Sequence, residues 1–304
     1  MTGSGDDATR VVRRSRVTQE RGEVIATRRA GAYQHLTLVA PGIAGHAAPG
    51  QLVAVAVGEG DQAPALRRLV LIHEVTPSGT YGGTVELVVH PRDAATAWLA
   101  SRRPHDGVDV VGPVGRGFPL PVDSLPCVLV AEGRGSGPLL WLARILRARG
   151  CRVEMVLGAP SEDRLLGVIE ARRRCDAAIV TTADGSAGQR GHLVDVLPEV
   201  LDRTGAAVVY ACGSLPVLRA TAAAAAERGV VSQLAIEGPP GCGIGVCLGC
   251  VVPITGTDDQ TRLVRTCVEG PVLRGDRLRW DAFVDGHWRT PRDAVAVGSG
   301  PVGG

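Results

Sequence analysis

The chain has 304 residues, of which 45% are hydrophobic and 21% charged, a composition typical of a globular protein with two or three domains. The formal net charge is only +2, from 33 basic and 31 acidic residues spread along the sequence, and so gives no indication of nucleic-acid binding. The sequence contains no lysine, which excludes a Walker-type phosphate loop and a lysine Schiff base.

Targeting and membrane signals are missing from the sequence. The N-terminus lacks the apolar run of a signal peptide, and no stretch approaches the roughly 20 apolar residues that a membrane span needs. We therefore expect a cytoplasmic protein with no membrane span. In a reducing compartment the cysteines at 127, 151, 175 and 212 are expected to be thiols.

The first third of the chain has the pattern of a small β-barrel. Residues 1–15 are polar and Arg-rich and predict a disordered tail. Residues 16–120 contain short β-branched runs (HLTLVA, QLVAVAV, RLVLIHEV, TVELVVH and VDVVG) separated by turn residues, which predict an antiparallel barrel. Only Ala94–Ser101 looks helical there. Arg67 and Arg68 begin one strand and are candidates to bind phosphate, or else ordinary surface arginines.

The middle of the chain, residues 121–236, alternates between apolar strands and amphipathic helices. This predicts a parallel sheet covered on both faces, as in nucleotide-binding α/β domains. Gly133 and Gly135 follow the first strand and would let a pyrophosphate approach a helix N-terminus, or serve a merely structural turn. Cys212 lies at the carboxyl end of a later strand, either beside a redox cofactor or as a small buried residue.

Four cysteines dominate the region 237–284, which is followed by a predicted flexible tail at 285–304. Cys242, Cys247, Cys250 and Cys267 have four, two and sixteen residues between them, with glycines throughout the loop. This is the plant-type C-x₄-C-x₂-C…C spacing that binds a [2Fe–2S] cluster, rather than the paired C-x₂-C of structural zinc. Zinc, and free or disulfide-bonded cysteines, remain as alternatives.

The order of barrel, α/β domain and cysteine loop resembles the electron-transfer subunits of class 1B dihydroorotate dehydrogenase, in the ferredoxin–NADP⁺ reductase superfamily. The motifs that carry the resemblance are PGQLVAV at 49–55, RRLVLI at 67–72, GPVGRGF at 112–118, TTADGSAGQRG at 181–191, VYACGS at 209–214, and the cysteine loop with CVEGPVLRGDRLRW. The likeness runs from about Arg16 to Trp280, which is most of the chain.

The resemblance implies a set of cofactors and a partner. The barrel would bind FAD, the α/β domain would meet NAD(P), and the cluster would carry electrons to an FMN-containing subunit that oxidises dihydroorotate, or to a similar dehydrogenase, in a hetero-oligomer. Arg68 would hold the FAD pyrophosphate, Thr96 would help to bind phosphate, and Cys212 would stand near the isoalloxazine ring. The four cluster cysteines map without gaps.

Two other functions stay open at this point. One is a related reductase subunit for another partner, of the sulfide dehydrogenase or transhydrogenase type. The other is a non-catalytic subunit that keeps the cluster but binds flavin and nucleotide poorly. The reason for this second hypothesis is that three positions depart from the resemblance: Leu71, Ala95 and Glu132 stand where it predicts serine, glycine and glycine.

Overall fold

The computed structural model describes residues 9–10, 16–58 and 66–295. Their first unit is a closed antiparallel barrel with the strand order β2-β3-β6-β5-β4-β7. The strands are β2 (Thr18–Ala30), β3 (Tyr33–Val39), β4 (Leu52–Val55), β5 (Arg68–Thr76), β6 (Thr84–Val89) and β7 (Gly107–Val114). The predicted barrel is confirmed.

The strand β2 has no counterpart among the runs that predicted the barrel. It is 13 residues long, yet only Gly22 and Val24 in it are buried. Because most of its side chains are exposed or only half-buried, its sequence lacks the apolar alternation by which the other strands are visible. A short strand, β1 (Thr9–Arg10), pairs with β8 (Leu120–Pro121), so two residues of the predicted N-terminal tail are paired. The rest of that tail lies outside the described residues.

Two short helices accompany the barrel. The predicted helix is present as α2 (Ala94–Ala100), and α1 (Pro41–Ala44) is a single turn that the sequence pattern did not indicate. At the start of α2, the Asp93 carboxylate accepts a hydrogen bond from the Thr96 backbone N–H, and the Thr96 hydroxyl accepts one from the Asp93 N–H. This reciprocal capping box fixes where α2 begins.

The second unit is the predicted sheet with helices on both faces. Its order is β12-β11-β10-β9-β13-β14-β17, and every pairing is parallel except β14 with β17. The strands are β9 (Cys127–Glu132), β10 (Val153–Ala159), β11 (Ala177–Thr182), β12 (Gln189–Arg190), β13 (Val208–Cys212), β14 (Val231–Ala235) and β17 (Val272–Arg274). The helices are α3 (Ser136–Ala148), α4 (Val168–Arg174), α5 (Leu193–Thr204) and α6 (Leu215–Ala226). None of the helices in the described ranges is long and apolar enough to cross a membrane.

Burial explains why these strands read as continuous apolar runs. Leu129 in β9 packs into one core beneath the sheet, while its neighbours Val128 and Val130 pack into a second core above it. Both faces are therefore covered, as in other parallel sheets.

The cysteine region is more regular than its sequence pattern indicates. It contains the hairpin β15 (Val251–Thr255) and β16 (Thr261–Arg265), and its strand β17 extends the central sheet. Residues 285–295, expected in a flexible tail, include β19 (His287–Trp288), which pairs with β18 (Phe283–Val284). Trp280, Phe283 and Trp288 contact one another there and explain this order. The proposed domain boundaries stay a prediction.

Candidate metal centre and cofactor groove

The structure brings the four loop cysteines together as two pairs. The sulfurs of Cys250 and Cys267 lie 3.3 Å apart. Cys242 and Cys247 form the second pair, because the backbone N–H of each donates to the sulfur of the other, at 3.4 Å in both cases. Further backbone N–H groups, of Val246 and Gly249, donate to the Cys242 and Cys247 sulfurs at 3.3 and 3.5 Å.

This two-by-two arrangement distinguishes a two-iron cluster from a single zinc ion. Four thiolates at about 2.3 Å from one zinc would all lie within about 4 Å of one another. The described residues include all four cysteines, and no three of their sulfurs lie within 4.8 Å of one another. Two pairs, each suited to one iron, fit a [2Fe–2S] cluster.

The loop backbone favours the thiolate form of Cys242. Burial raises the pKa of Cys242, but hydrogen bonds from the N–H groups of Cys247, Ile244 and Val246 outweigh it and lower that pKa to about 7. In the other pair the shared hydrogen bond lowers the pKa of Cys250 and raises that of Cys267, because one of the two sulfurs keeps the proton. Thiolates are the form that binds iron.

Glycines let this loop pack tightly against the barrel. Gly243 has φ +74°, and an added Cβ would lie 2.5 Å from the Ala54 Cβ of β4. Gly245 has φ +83° and leaves the same kind of space for Val268. Both positions therefore need glycine, for conformation and for room.

The inner half of the loop is buried on two barrel strands, whereas its outer half faces solvent. Cys250 and Cys267 form a small buried core with Ala54 of β4 and Leu69 of β5. Cys247 is exposed, and three apolar side chains beside it are also exposed by 57%, 72% and 47%: Ile244, Val246 and Leu248.

A cationic cavity of about 150 Å³ lies beside the start of α2 and contains the predicted phosphate-binding residues. Arg68 and Thr96 both line it, and Arg68 forms an ion pair with Asp93 at 3.2 Å. The Thr96 hydroxyl is engaged in the α2 capping box. Arg67, by contrast, points away, since its guanidinium pairs with Asp109 at 2.5 Å.

A second cavity, of about 290 Å³, contains the other predicted site residues. Gly133, Gly135 and Cys212 line it together with Leu71 of β5. Burial raises the pKa of Cys212, so its side chain is a neutral thiol at physiological pH. Cys212 is accordingly suited to pack against a ring and not to act as a nucleophile.

The two cavities are halves of one groove. Arg92, Arg134 and Glu237 line both of them, and Arg134 pairs with Glu237 through both of its terminal nitrogens. Sequence reasoning missed these three residues. Arg134 lies between Gly133 and Gly135, so its position in the sequence could have indicated that it belongs to the site. Glu237 lies 103 residues after Arg134 along the chain, and no local pattern indicated it.

The groove fits a flavin dinucleotide in its chemistry. Its arginine-rich half, with Arg68 and Arg92, is suited to a pyrophosphate, and its half with Leu71 and Cys212 is suited to an aromatic ring. Gly133 and Gly135 line the same groove, where the packing of the protein itself requires glycine. An added Cβ at Gly133 would lie 2.5 Å from the Tyr33 hydroxyl oxygen, and Gly135 is equally confined by Cys212.

A third cavity, of about 320 Å³, lies at the carboxyl edge of the parallel sheet. It is lined by Glu132, Ala159, Ala183 and Ser214, which follow or end neighbouring strands. Open α/β sheets bind nucleotides at this edge. The Glu132 carboxylate accepts a hydrogen bond from the Ser214 backbone N–H at 2.7 Å.

Replacing Gly135 by alanine is expected to lower the free energy of unfolding by about 1–3 kcal/mol, because the added methyl group overpacks the contact between Gly135 and Cys212. The new Cβ would clash with the Cys212 carbonyl oxygen and lie 3.0 Å from its sulfur. Urea denaturation measures the change. Gly45→Ala is the control, because Gly45 is exposed, has φ −70° and has only the Pro41 carbonyl oxygen nearby. Equal stability of the two variants would contradict the prediction.

Known proteins resemble this chain along most of its length. The sequence profile of the iron–sulfur cluster binding domain of dihydroorotate dehydrogenase B matches residues 241–279. A dihydroorotate dehydrogenase B (NAD⁺) electron transfer subunit from Desulforamulus reducens is 33% identical, over 80% of this chain and 90% of its own length. The subunit of the same name from Geobacillus kaustophilus is 36% identical, over 76% of this chain and 86% of its own.

Solved structures with the same fold include redox proteins of the reductase type. A chain of an NADH-dependent reduced ferredoxin–NADP oxidoreductase, studied for flavin-based electron bifurcation, superimposes with a TM-score of 0.74 at 26% identity, covering 86% of this chain and 91% of its own. A ferredoxin reductase of carbazole 1,9a-dioxygenase superimposes with a TM-score of 0.58 at 20% identity, covering 70% and 67%. The second likeness concerns the fold alone.

Proposed function

This chain belongs to the family of dihydroorotate dehydrogenase B electron transfer subunits, and from that premise we propose that it passes electrons between NAD(H) and a dihydroorotate-oxidising partner through FAD and a [2Fe–2S] cluster. FAD exchanges a hydride for single electrons, and the cluster carries one electron at a time.

The strand β5 carries this proposal, because it contacts both the groove and the cysteine loop. Leu71 lines the half of the groove that is suited to an aromatic ring. Leu69, two residues earlier on the same strand, packs in one buried core with Cys250 and Cys267. A ring in the groove and a cluster in the loop would thus lie against neighbouring apolar side chains of one strand, which is the short separation that electron transfer between two cofactors needs.

The residues of the chain have distinct parts in this proposal. Arg68 binds the pyrophosphate, while Gly133 and Gly135 allow the cofactor to approach the backbone. Leu71 and Cys212 form the surface against which the ring packs. Cys242, Cys247, Cys250 and Cys267 hold the cluster.

The exposed apolar side chains of the cluster loop support a hetero-oligomer. Ile244, Val246 and Leu248 surround the exposed Cys247, and a partner that covers them would bring its own cofactor near the cluster. A cytoplasmic location belongs to the same proposal, because a reducing compartment keeps thiols available for iron.

The test is a reduction experiment on anaerobically reconstituted protein. NADH is expected to bleach the flavin absorbance and then to produce the electron paramagnetic resonance signal of a reduced two-iron cluster. Turnover of NADH by the isolated chain with ferricyanide would exclude the non-catalytic alternative. Bound cluster without flavin, or flavin that NADH does not reduce, would contradict the proposal.

The partner is tested separately by purification of the assembled complex. Oxidation of dihydroorotate coupled to NAD⁺ reduction is the expected activity. A complex that instead oxidises sulfide or transfers hydride between NADH and NADP⁺ would support the related-reductase alternative.

A further inference from the structure

Three side chains of metal-ligating type lie on three neighbouring strands of the barrel, apart from the cysteine loop. His35 is on β3, Glu86 on β6 and His73 on β5, and β6 lies between the other two. One ring nitrogen of each histidine and one carboxylate oxygen lie within 4.8 Å of one another. Among residues 16–58 and 66–295, no other three such side chains meet this distance.

Strand register and a β-bulge bring the three together. His35 stands opposite Val88, so Glu86, two residues before Val88 on β6, is on the same face of the sheet. The pairing of β5 with β6 shifts between Ile72 and Glu74, which leaves His73 as the additional residue of the bulge. A bulge turns a side chain out of its regular position, here toward the other two.

The cluster is partly buried, since His35 is buried while His73 and Glu86 are half-buried. His35 is 3% exposed, and its Nδ1 lies 2.5 Å from a Glu86 oxygen. Burial lowers the pKa of His73 to about 4, so the ring is neutral at pH 7. Burial raises the pKa of Glu86, but the hydrogen bond with His35 and the nearby Arg28 guanidinium outweigh it and lower that pKa.

The helix α3 leaves room for the His73 side chain because a glycine faces it. Gly137 of α3 packs on the imidazole ring, and a Cβ added there would overlap the ring nitrogen Nδ1. That Nδ1 is itself buried and has no hydrogen-bond partner among the described residues. A buried nitrogen without a partner is costly in a folded protein and requires an explanation.

The surroundings provide space and a balanced charge. A cavity of about 600 Å³ adjoins the three side chains, with room for the further ligands that a metal ion takes. In this cavity Glu74 is paired with both Arg144 and Arg174. The Arg28 guanidinium lies 3.3 Å from His35 Nδ1, but this side chain is exposed and can turn away.

We propose that His35, His73 and Glu86 form a binding site for a divalent transition-metal ion of the Zn²⁺ class, separate from the iron–sulfur cluster. Two imidazoles and one carboxylate are a donor set that zinc and similar ions take, with a remaining position for water. The ion would join β3, β5 and β6 at the place where the barrel meets α3. The bound ion would stabilise the barrel at its contact with the α/β domain.

The test is equilibrium dialysis of the cluster-loaded full chain against micromolar ZnCl₂, with zinc and iron counted in the same sample. Full iron content shows that the cysteines are occupied, so zinc counted beside it must lie elsewhere. One zinc per chain is expected for the wild type and almost none for Glu86→Gln. His105→Gln is the matched control, because His105 also pairs with a glutamate, Glu23, but on the exposed surface without a second histidine.

A second measurement keeps the proposal testable if a variant is unstable. Zinc is expected to raise the midpoint of thermal unfolding of the wild type and of His105→Gln by several degrees, and to leave that of Glu86→Gln and His73→Gln unchanged. Wild-type protein that takes up no zinc beside its iron would overturn the proposal. So would equal zinc uptake by the wild type and Glu86→Gln.

Discussion

Replacing Cys247 by serine is expected to remove the iron–sulfur cluster and leave the fold and the flavin in place. Cys247 is the exposed member of the four, so its loss removes little buried surface. A serine hydroxyl is not deprotonated at neutral pH and is a poor ligand for iron compared with a thiolate. Iron and labile sulfide should fall to near zero, and electron delivery to the partner should stop. NADH should still bleach the flavin, which places the defect after the flavin.

Cys175→Ser is the matched control for this prediction. Cys175 is a buried thiol at the end of α4, and burial raises its pKa to about 12. Its variant is expected to lose some stability and to keep all of its iron. Full iron content in Cys247→Ser would contradict the role of Cys247. Equal loss of iron in both variants would show that the loss results from general destabilisation. That outcome would also contradict the role of Cys247 as a cluster ligand.

Local pattern explains why much of the fold was predictable. Strands buried on both faces, such as β9, are visible as unbroken apolar runs, and a helix with a capping residue, such as α2, is visible from a short stretch. The strand β2 was not predicted because most of its side chains are exposed or only half-buried. The hairpin of β18 and β19 depends on contacts among aromatic side chains, and spacing along the chain does not reveal these.

The candidate sites differ in how local they are. The cysteine loop can be recognised from the sequence, because three of its four cysteines are separated by only a few residues. The pairing of Cys242 with Cys247 and of Cys250 with Cys267 is visible only in three dimensions. The Arg134–Glu237 pair forms across the groove from distant parts of the chain, so no local pattern indicates it.

The capping of α2 bears on one expectation about the groove, which stays a prediction. Thr96 was expected to bind phosphate, and it does line the cavity. Its hydroxyl, however, is held by the N–H groups of Arg92 and Asp93. Asp is one of the preferred residues at a helix N-cap, so Asp93 was a capping signal that the sequence contained. Arg68 is therefore the stronger candidate for the phosphate contact.

Replacing Arg68 by leucine is expected to weaken FAD binding by about 10- to 100-fold. The guanidinium lines the arginine-rich half of the groove and is held toward it by Asp93. A hydrogen bond to a charged group contributes about 1.5–3 kcal/mol, and each 1.4 kcal/mol is a factor of about ten in Kd. Calorimetric titration of flavin-free protein with FAD measures the loss. Arg68→Lys should fall between the two, because it keeps the charge without the bidentate geometry.

Arg67→Leu provides the matched control, because it makes the same substitution one residue earlier. The Arg67 guanidinium pairs with Asp109 and lies away from the groove, and only its backbone contacts the cysteine loop, through the Gly241 N–H. Its loss removes one partly exposed ion pair, worth about 0–1 kcal/mol of stability, and is expected to leave FAD affinity unchanged. Equal weakening by both substitutions would mean that FAD responds to the net charge of this strand. Weakening by Arg68→Leu alone would support a direct contact with the pyrophosphate.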